Sequence, residues 1–554
     1  MGFNEPRRQV ADVLLTAPEP QFRASQEGSP RAYRPSAMSA TTFTEANVGA
    51  ASVGQYVIPE DGNCRGQIRM VTSFSGTVAT VDRAWNSVTG CTSLRAFRPA
   101  DVPWRATTAG NTQHIPCSDH ANITNEPDNY WGTVAASKGY YWYGVGGINA
   151  GSATQIAGFT STTGVLTFAT ALSSVALSNL GLIGKVLRPE GPITASLERN
   201  FLHRRIVGYG DADQAAPLTY KPTSISFELA QRPVTSSAVD AIAALAPVEI
   251  GDMLGDVMAE TKDTGDTVSS ASGTTLTVTA GSRFSVGGFV ALQTGEVAQI
   301  QSKATNALTV GTGHMTAASV QNASVVLASC WYQRKASDFR TRTLRYYRGR
   351  NTLQFFHGCM PKVTLKVSRD DIARFAFEYM APEAGEYDVA CPVAAGATNP
   401  LGILDTTVPV DSKASRCLFN GTKWLIDSFE LDLGFEPKLR GSLPGMNQAD
   451  GMWMDLGPAK GKMTLYAEEN DNSGVERIQD LASRGVAVDF LWHKGTAGKE
   501  IFAVGIPALQ IAPSRFEYQD GTGKFSCEFD VVLPQATRGS TAAAAMPPFA
   551  IGWL

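Results

Sequence analysis

The stretch "GCMPKVTLKVSRDDIARFAFEYMA", Gly358 to Ala381, holds two alternating apolar and polar runs around a charged turn. Neighbouring residues of a strand point to opposite faces, so each run buries one face and exposes the other. The stretch also has a counterpart in the same chain. "GCMPKVTLKV" corresponds to "GIPALQIA" from Gly505, and "RFAFEY" at Arg374 to Tyr379 corresponds to "KFSCEF" at Lys524 to Phe529.

Upstream of both copies lies a second match. "SAVDAIAALA", Ser237 to Ala246, aligns with "SGVERIQDLA", Ser473 to Ala482. Ser237 and Ser473 fit helix N-caps, while Asp240 and Glu476, three residues on, can reach back to the cap. Val, Ile and Leu at i, i+3 and i+6 form one apolar stripe. Each predicted helix follows an alternating strand, "SISFELA" from Ser224 or "KMTLYAE" from Lys462. The order strand, helix, strand, Gly-Pro strand, final strand therefore occurs twice. It defines two large β domains with one flanking helix each, at 191–264 with 331–382 and at 383–540.

A smaller unit recurs three times. "QIRMVTSFSGTVATV" at Gln67 to Val81 is echoed by "QIAGFTSTTGVLTF" from Gln155 and "QIQSKATNALTV" from Gln299. In the longer match Val53-Gly54 falls on Val286-Gly287, Tyr56-Val57 on Phe289-Val290, Gly62 on Gly295, and Gln67-Ile68 on Gln299-Ile300 across a one-residue gap. "AFRP" at Ala96 and "VLRP" at Val186 supply a closing strand. We read three small β modules, at 36–100, 101–190 and 265–330. The third interrupts the first large domain. Residues 1–35 and 541–554 are expected as terminal arms.

Composition agrees with a mainly β chain of several domains. Its 554 residues exceed one domain, and Gly is abundant at 53. Net charge is -4, with no basic run that would grip phosphate tightly. The acidity is uneven. Residues 383–540 hold 22 acidic and 14 basic residues, a net of -8, which leaves about +4 for the remainder. The amino terminus has no long apolar signal core, no apolar run approaches a membrane span, and the eight scattered cysteines are expected as free thiols in a reducing cytosol.

Chemical motifs are scarce. "GVGGIN" at Gly144 lacks the third glycine of a dinucleotide fingerprint, and "DGTGKF" at Asp520 lacks the spacing of a phosphate loop. "HIPCSDH" places His114, Cys117 and His120 three residues apart, a zinc-like spacing without an identifiable fourth ligand, and it fits an irregular polar loop better. No catalytic grouping, cofactor site or enzyme activity is expected. In "SFELDLGFE" from Ser428, the residues Phe429, Leu431, Leu433 and Phe435 share one face and Glu430, Asp432 and Glu436 the other, which predicts an amphipathic strand with an acidic row. That row suits a solvated outer face, or a surface that passes a polyanion without holding it.

Together, the Gly-Cys-Met-Pro strand, the "KVTLKVSRDDIARFAFEYMA" run ending in an F-x-F pattern, and the capped helix after a strand resemble tail tube proteins of long-tailed, non-contractile bacteriophages. The resemblance covers the two large domains and not the first 190 residues. It implies β-sandwich domains whose inner strands join into a ring around a channel, with rings stacking into the tail tube through which genomic DNA leaves. The internal duplication then implies a homotrimer with pseudo-sixfold symmetry. The partners implied are other copies of the chain, tape measure, terminator and distal tail proteins, and passing double-stranded DNA without specific binding. No membrane is involved; the chain would be made in the host bacterial cytoplasm and reside in the virion. The alternative is a distal tail or fibre protein whose small modules bind surface glycans, with Trp131, Tyr140, Tyr141, Trp142 and Tyr143 as stacking platforms.

Overall fold

The computed structural model describes residues 13–18, 31–97, 139–196, 200–205, 213–231, 248–391, 415–440, 451–466, 480–495, 501–534 and 546–554, apart from short internal gaps, plus a few positions between 104 and 131. The fold is mainly β, as expected. Most strands alternate buried and open residues, as at Thr223–Ala230 and Arg374–Ala381.

Fifteen strands build the two large units. In chain order they are β1 (Val13–Pro18), β2 (Thr194–Ser196), β3 (Thr223–Ala230), β4 (Arg342–Arg348), β5 (Thr352–Ser368), β6 (Arg374–Ala381), β7 (Glu383–Tyr387), β8 (Ser415–Phe419), β9 (Ile426–Asp432), β10 (Lys460–Tyr466), β11 (Ala487–Lys494), β12 (Phe502–Ile511), β13 (Phe516–Gln519), β14 (Thr522–Val531) and β15 (Ala550–Trp553). In the first half β1 pairs with β4, β4 with β5, β5 with β6 and β7, β6 with β3, and β3 with β2. In the second half β8 pairs with β11, β11 with β12, β12 with β14 and β15, β14 with β10, and β10 with β9. The same pairing scheme is thus laid down twice. Each half also carries a two-stranded ribbon at the same point of the scheme, at 200–205 with 213–219 and at 435–440 with 451–456.

The two Gly-Pro strands take matching places but not the matched register. Pro361 lies opposite Tyr379, whereas Ile511 lies opposite Phe529, so the Gly358/Gly505 alignment is three residues off. A similar shift affects the small hairpins. Tyr56 faces Met70 and Phe289 faces Gln299, so Met70-Val71, and not Gln67-Ile68, stand where Gln299-Ile300 stand. A β-bulge marks the common point in all three hairpins, after Val71, Ile156 and Ile300. Two identical residues do not set register; the bulge and the buried face do.

The ends of the chain are not arms in the described segments. β1 is clamped between β4 and the strand Leu180–Leu187, which ties the second small module into the main sheet. β15 lies between β12 and the strand Ser329–Arg334. The first and third modules form separate sheets, over residues 31–97 and 266–326. Cys64 and Cys91 of the first module are joined in a disulfide, against the expectation of free thiols; Cys330, Cys359, Cys391, Cys417 and Cys527 are not disulfide-bonded.

The predicted helix at Ser237 to Ala246, with Asp240, lies outside the described residues, as do Ser473 and Glu476 of its counterpart. The latter's last turn is helical from Asp480. A helix that the sequence patterns did not indicate, α1 (Val248–Leu254), packs Ile250, Met253 and Leu254 into the main core. That core runs continuously through both halves: Phe375 of β6 lies 5.9 Å from Phe502 of β12, and Phe429 of β9 lies 5.1 Å from Phe490 of β11, centroid to centroid.

Candidate functional site

Where the two halves meet, β5 pairs directly with β9, with Thr364 opposite Asp432 and Lys366 opposite Glu430. One sheet therefore runs unbroken through β2, β3, β6, β5, β9, β10, β14 and β13. Phe227, Phe377, Leu365, Leu431, Met463 and Phe529 bury one face of it in the core. The other face is open, and β2, β3, β5 and β6 line a hollow of about 520 Å³ on it.

Seven acidic residues, Glu228, Glu378, Asp427, Glu430, Asp432, Glu528 and Asp530, and six basic ones, Lys362, Lys366, Arg374, Lys460, Lys462 and Lys524, occupy unburied positions of these strands. The register interleaves them. Lys366, Glu430, Lys462 and Glu528 follow one another across four strands. Ion pairs join Lys366 to Glu228 (2.7 Å), Lys362 to Asp432 (3.2 Å) and Lys462 to Glu430 (3.4 Å). Half-exposed pairs of this kind contribute little to stability, about 0–1 kcal/mol each. Their effect is to cancel charge along the face.

This corrects the expected acidic row. Glu430 and Asp432 do share the open face, but lysines on both flanking strands neutralise them. Glu436 does not share it: Gly434, at φ +73°, turns the chain, and Glu436 lies exposed on the ribbon Phe435–Arg440 near Lys438. The apolar side holds as read, since Phe429, Leu431, Leu433 and Phe435 are all buried.

The zinc-like group falls largely outside the described residues. Only the strand His114–Pro116 is described there; Cys117 and His120 lie outside the described residues. Among the described residues no three His, Cys, Asp or Glu side chains group to hold a metal, and no helix is long and apolar enough to cross a membrane. Trp131, Tyr140, Trp142 and Tyr143 are buried and Tyr141 is half-buried, so four of the five aromatic residues of the second module are core and not stacking platforms.

Sequence reasoning missed a buried charge cluster. Arg342 of β4 is enclosed, its Nε and Nη2 donating to Asp256 (2.6 and 2.9 Å) and its Nη1 to Asp252 (2.9 Å) and Thr16 (3.2 Å). Lys185 of the second module lies 3.4 Å from Asp252, and Tyr140 donates to the same carboxylate at 2.6 Å. Burial opposes ionisation of Asp252, yet Arg342 and Lys185 outweigh it and hold its pKa far below the usual carboxylate range. Burial pushes the Lys185 ammonium down, partly offset by Asp252. The cluster links β1, the second module, α1 and β4. Its members are too far apart in sequence for any spacing rule to find them.

No protein-family model matches the chain, and no curated protein matches it in sequence.

Proposed function

We propose that this chain is a structural protein of a bacteriophage tail, whose copies form rings that stack into a tube around a DNA channel. The carrying observation is the sheet that passes from one repeat into the other and presents a charge-balanced open face. Duplex DNA is bound mainly through neutralised phosphates, so a lysine-rich wall would retain it. Seven acids against six bases leave no net positive charge to grip it. Three copies of eight such strands, spaced ~4.8 Å and tilted ~40°, close a barrel roughly 45–50 Å across. That leaves room for a duplex inside its side chains. The work done is conduction, without a catalytic step, and the other partners are further copies of the chain and the proteins that start and end the tube.

Negative-stain imaging of the purified chain tests this. Hollow tubes built of three-chain rings are expected. Chains that stay compact and unassembled under all ionic conditions overturn the reading. In assembled tails, Glu430→Lys with Asp432→Lys should leave tubes intact and slow DNA release, an effect relieved by salt.

A further inference from the structure

The junction inside the chain indicates how one copy meets the next. At that junction Leu433 N donates to Val363 O (3.1 Å), in the register that sets Leu365 opposite Leu431. Antiparallel pairs alternate between hydrogen-bonded and non-bonded, so Leu365 and Leu431 exchange main-chain bonds while Lys366 and Glu430 do not.

Register fixes which residues are equivalent in the two halves. Ala230 faces Arg374, and Tyr466 faces Lys524. Thr194, opposite Ser226, then stands where Glu430 stands opposite Lys462, and Ala195 stands in the place of Leu431. On the other side Leu365 faces Phe375 and Phe516 faces Phe525. Phe516 of β13 thus takes the place of Leu365, and Glu517 that of Lys366. Among the described residues β2 pairs only with β3, and β13 only with β14.

We infer that β13 of one copy pairs antiparallel with β2 of the next, with Phe516 opposite Ala195 and Glu517 opposite Thr194. The partner is a second copy of this chain, and the contact repeats the β5–β9 junction. Main-chain directions support it independently. Gln231 N donates to Ala373 O, so odd-numbered N–H groups of β3 point to β6 and even-numbered ones to β2. Thr194 and Ser196 therefore bond inward, and the Ala195 N–H points off the edge. Val531 N donates to Ala459 O, which likewise turns Lys524 toward β13. Glu517 bonds inward and the Phe516 N–H points outward. Each edge offers its outward donor at the very residue whose counterpart is bonded across the internal junction.

An open sheet edge invites unwanted pairing. β2 limits this by its three-residue length and by Pro192 just before it. Closure into a ring rests on the tube reading; the edge pairing rests on register and main-chain direction.

The test uses the full chain with Thr194→Cys and Glu517→Cys together. Non-bonded pairs bring Cβ atoms to about 4.5–5.5 Å, near enough for a disulfide after slight adjustment. Oxidation by dissolved oxygen with a copper catalyst should give covalent dimers and trimers on a non-reducing denaturing gel, absent from either single variant. Tubes that form but do not cross-link overturn the pairing and leave the tube reading intact. Cross-linked species from a chain that never forms tubes support the pairing and remove the tube. Ala195→Pro gives a second arm: it deletes only the outward N–H, and proline is tolerated on an edge. Unchanged circular dichroism and thermal midpoint with at least a tenfold higher concentration needed for assembly is expected; assembly at the wild-type concentration overturns the inference.

Discussion

Replacing Arg342 with methionine should detach the second module and β1 from the core. The substitution keeps the volume and removes five hydrogen bonds: two to the Asp256 carboxylate, one each to the Asp252 carboxylate and carbonyl, and one to Thr16. Asp256, fully buried, keeps only Tyr379 at 3.2 Å and Arg340 at 3.7 Å, while Asp252 keeps Lys185 and Tyr140. Removing one partner of a buried ion pair costs about 3–5 kcal/mol, because the remaining charge stays desolvated. That corresponds to a roughly 10²–10⁴-fold loss of protection in amide exchange wherever opening is local. Hydrogen exchange with mass spectrometry should show it in residues 13–18 and 180–187, with β10 and β14 unaffected. The loss should shrink between pH 7 and pH 5. An unpaired buried carboxylate takes a raised pKa and becomes neutral as pH falls, so its destabilising charge disappears first on the acid side. Arg342→Met with Asp256→Leu should recover most of the protection, since apolar packing can replace a buried pair. A change below threefold at pH 7, or one independent of pH, refutes the view that this cluster holds the second module in place.

Burial pushes His357 down to about 3, with Arg345 adding to the effect, so it is neutral when folded and protonated below ~6.5 when unfolded. Its contribution to stability should therefore fall as pH drops from ~6.5 toward 3, and His357→Gln should flatten that part of a pH-dependent thermal profile. Opening the Cys64–Cys91 bond frees a loop with a sequence separation of 27 residues, and loop entropy puts the loss at about 3–4 kcal/mol. A reductant should thus lower the unfolding transition of the first module alone, as followed by proteolysis within residues 31–97. Gly461→Ala would place a Cβ 2.1 Å from Glu430 O and 2.5 Å from the Phe529 ring. It should disturb the β9–β10 pairing, and reduced soluble yield with faster proteolysis between residues 426 and 466 is the readout.

The β character was legible because alternation is a local property, visible at Phe375, Phe377 and Tyr379 without knowing what covers them. The repeat was legible in part, through Phe375 and Phe525 on matching strands. Register was not. Gly358 aligns with Gly505 by eye, yet the β12–β14 pairing is set by packing of Ile511 and Phe529, which a one-dimensional match does not see. The acidic row failed for a related reason: Glu430 was read along its own strand, while the lysines that cancel it come from strands about sixty residues before and thirty after. The Arg342 cluster joins Thr16, Tyr140, Lys185 and Asp252, whose proximity exists only after β1 has paired with β4.

The placement of the small modules follows from the same pairing. The strand Met258–Asp263 pairs with Ser329–Arg334, which pairs with β15 of the second half. A module inserted between those two strands emerges over the second half although its flanks belong to the first. There Phe289 and Gln299 press against Gly552 and Gly505, with the Gln299 Oε1 only 2.6 Å from where a Gly505 Cβ would stand. On the first half, Met70, in the place of Gln299, shares a core cluster with Phe355, in the place of Gly505. A small residue under a polar side chain on one half is thus exchanged for a ring under a methionine on the other. Each half carries one module on equivalent ground, with the contact volume shifted from module to sheet. Gly505→Phe alone should overfill the second site, at about 1–3 kcal/mol or more, and raise exchange in residues 297–304. Gly505→Phe with Gln299→Met recreates the first-half pair and should recover part of that loss. Equal exchange in the single and double variants would show that the two seats are not equivalent.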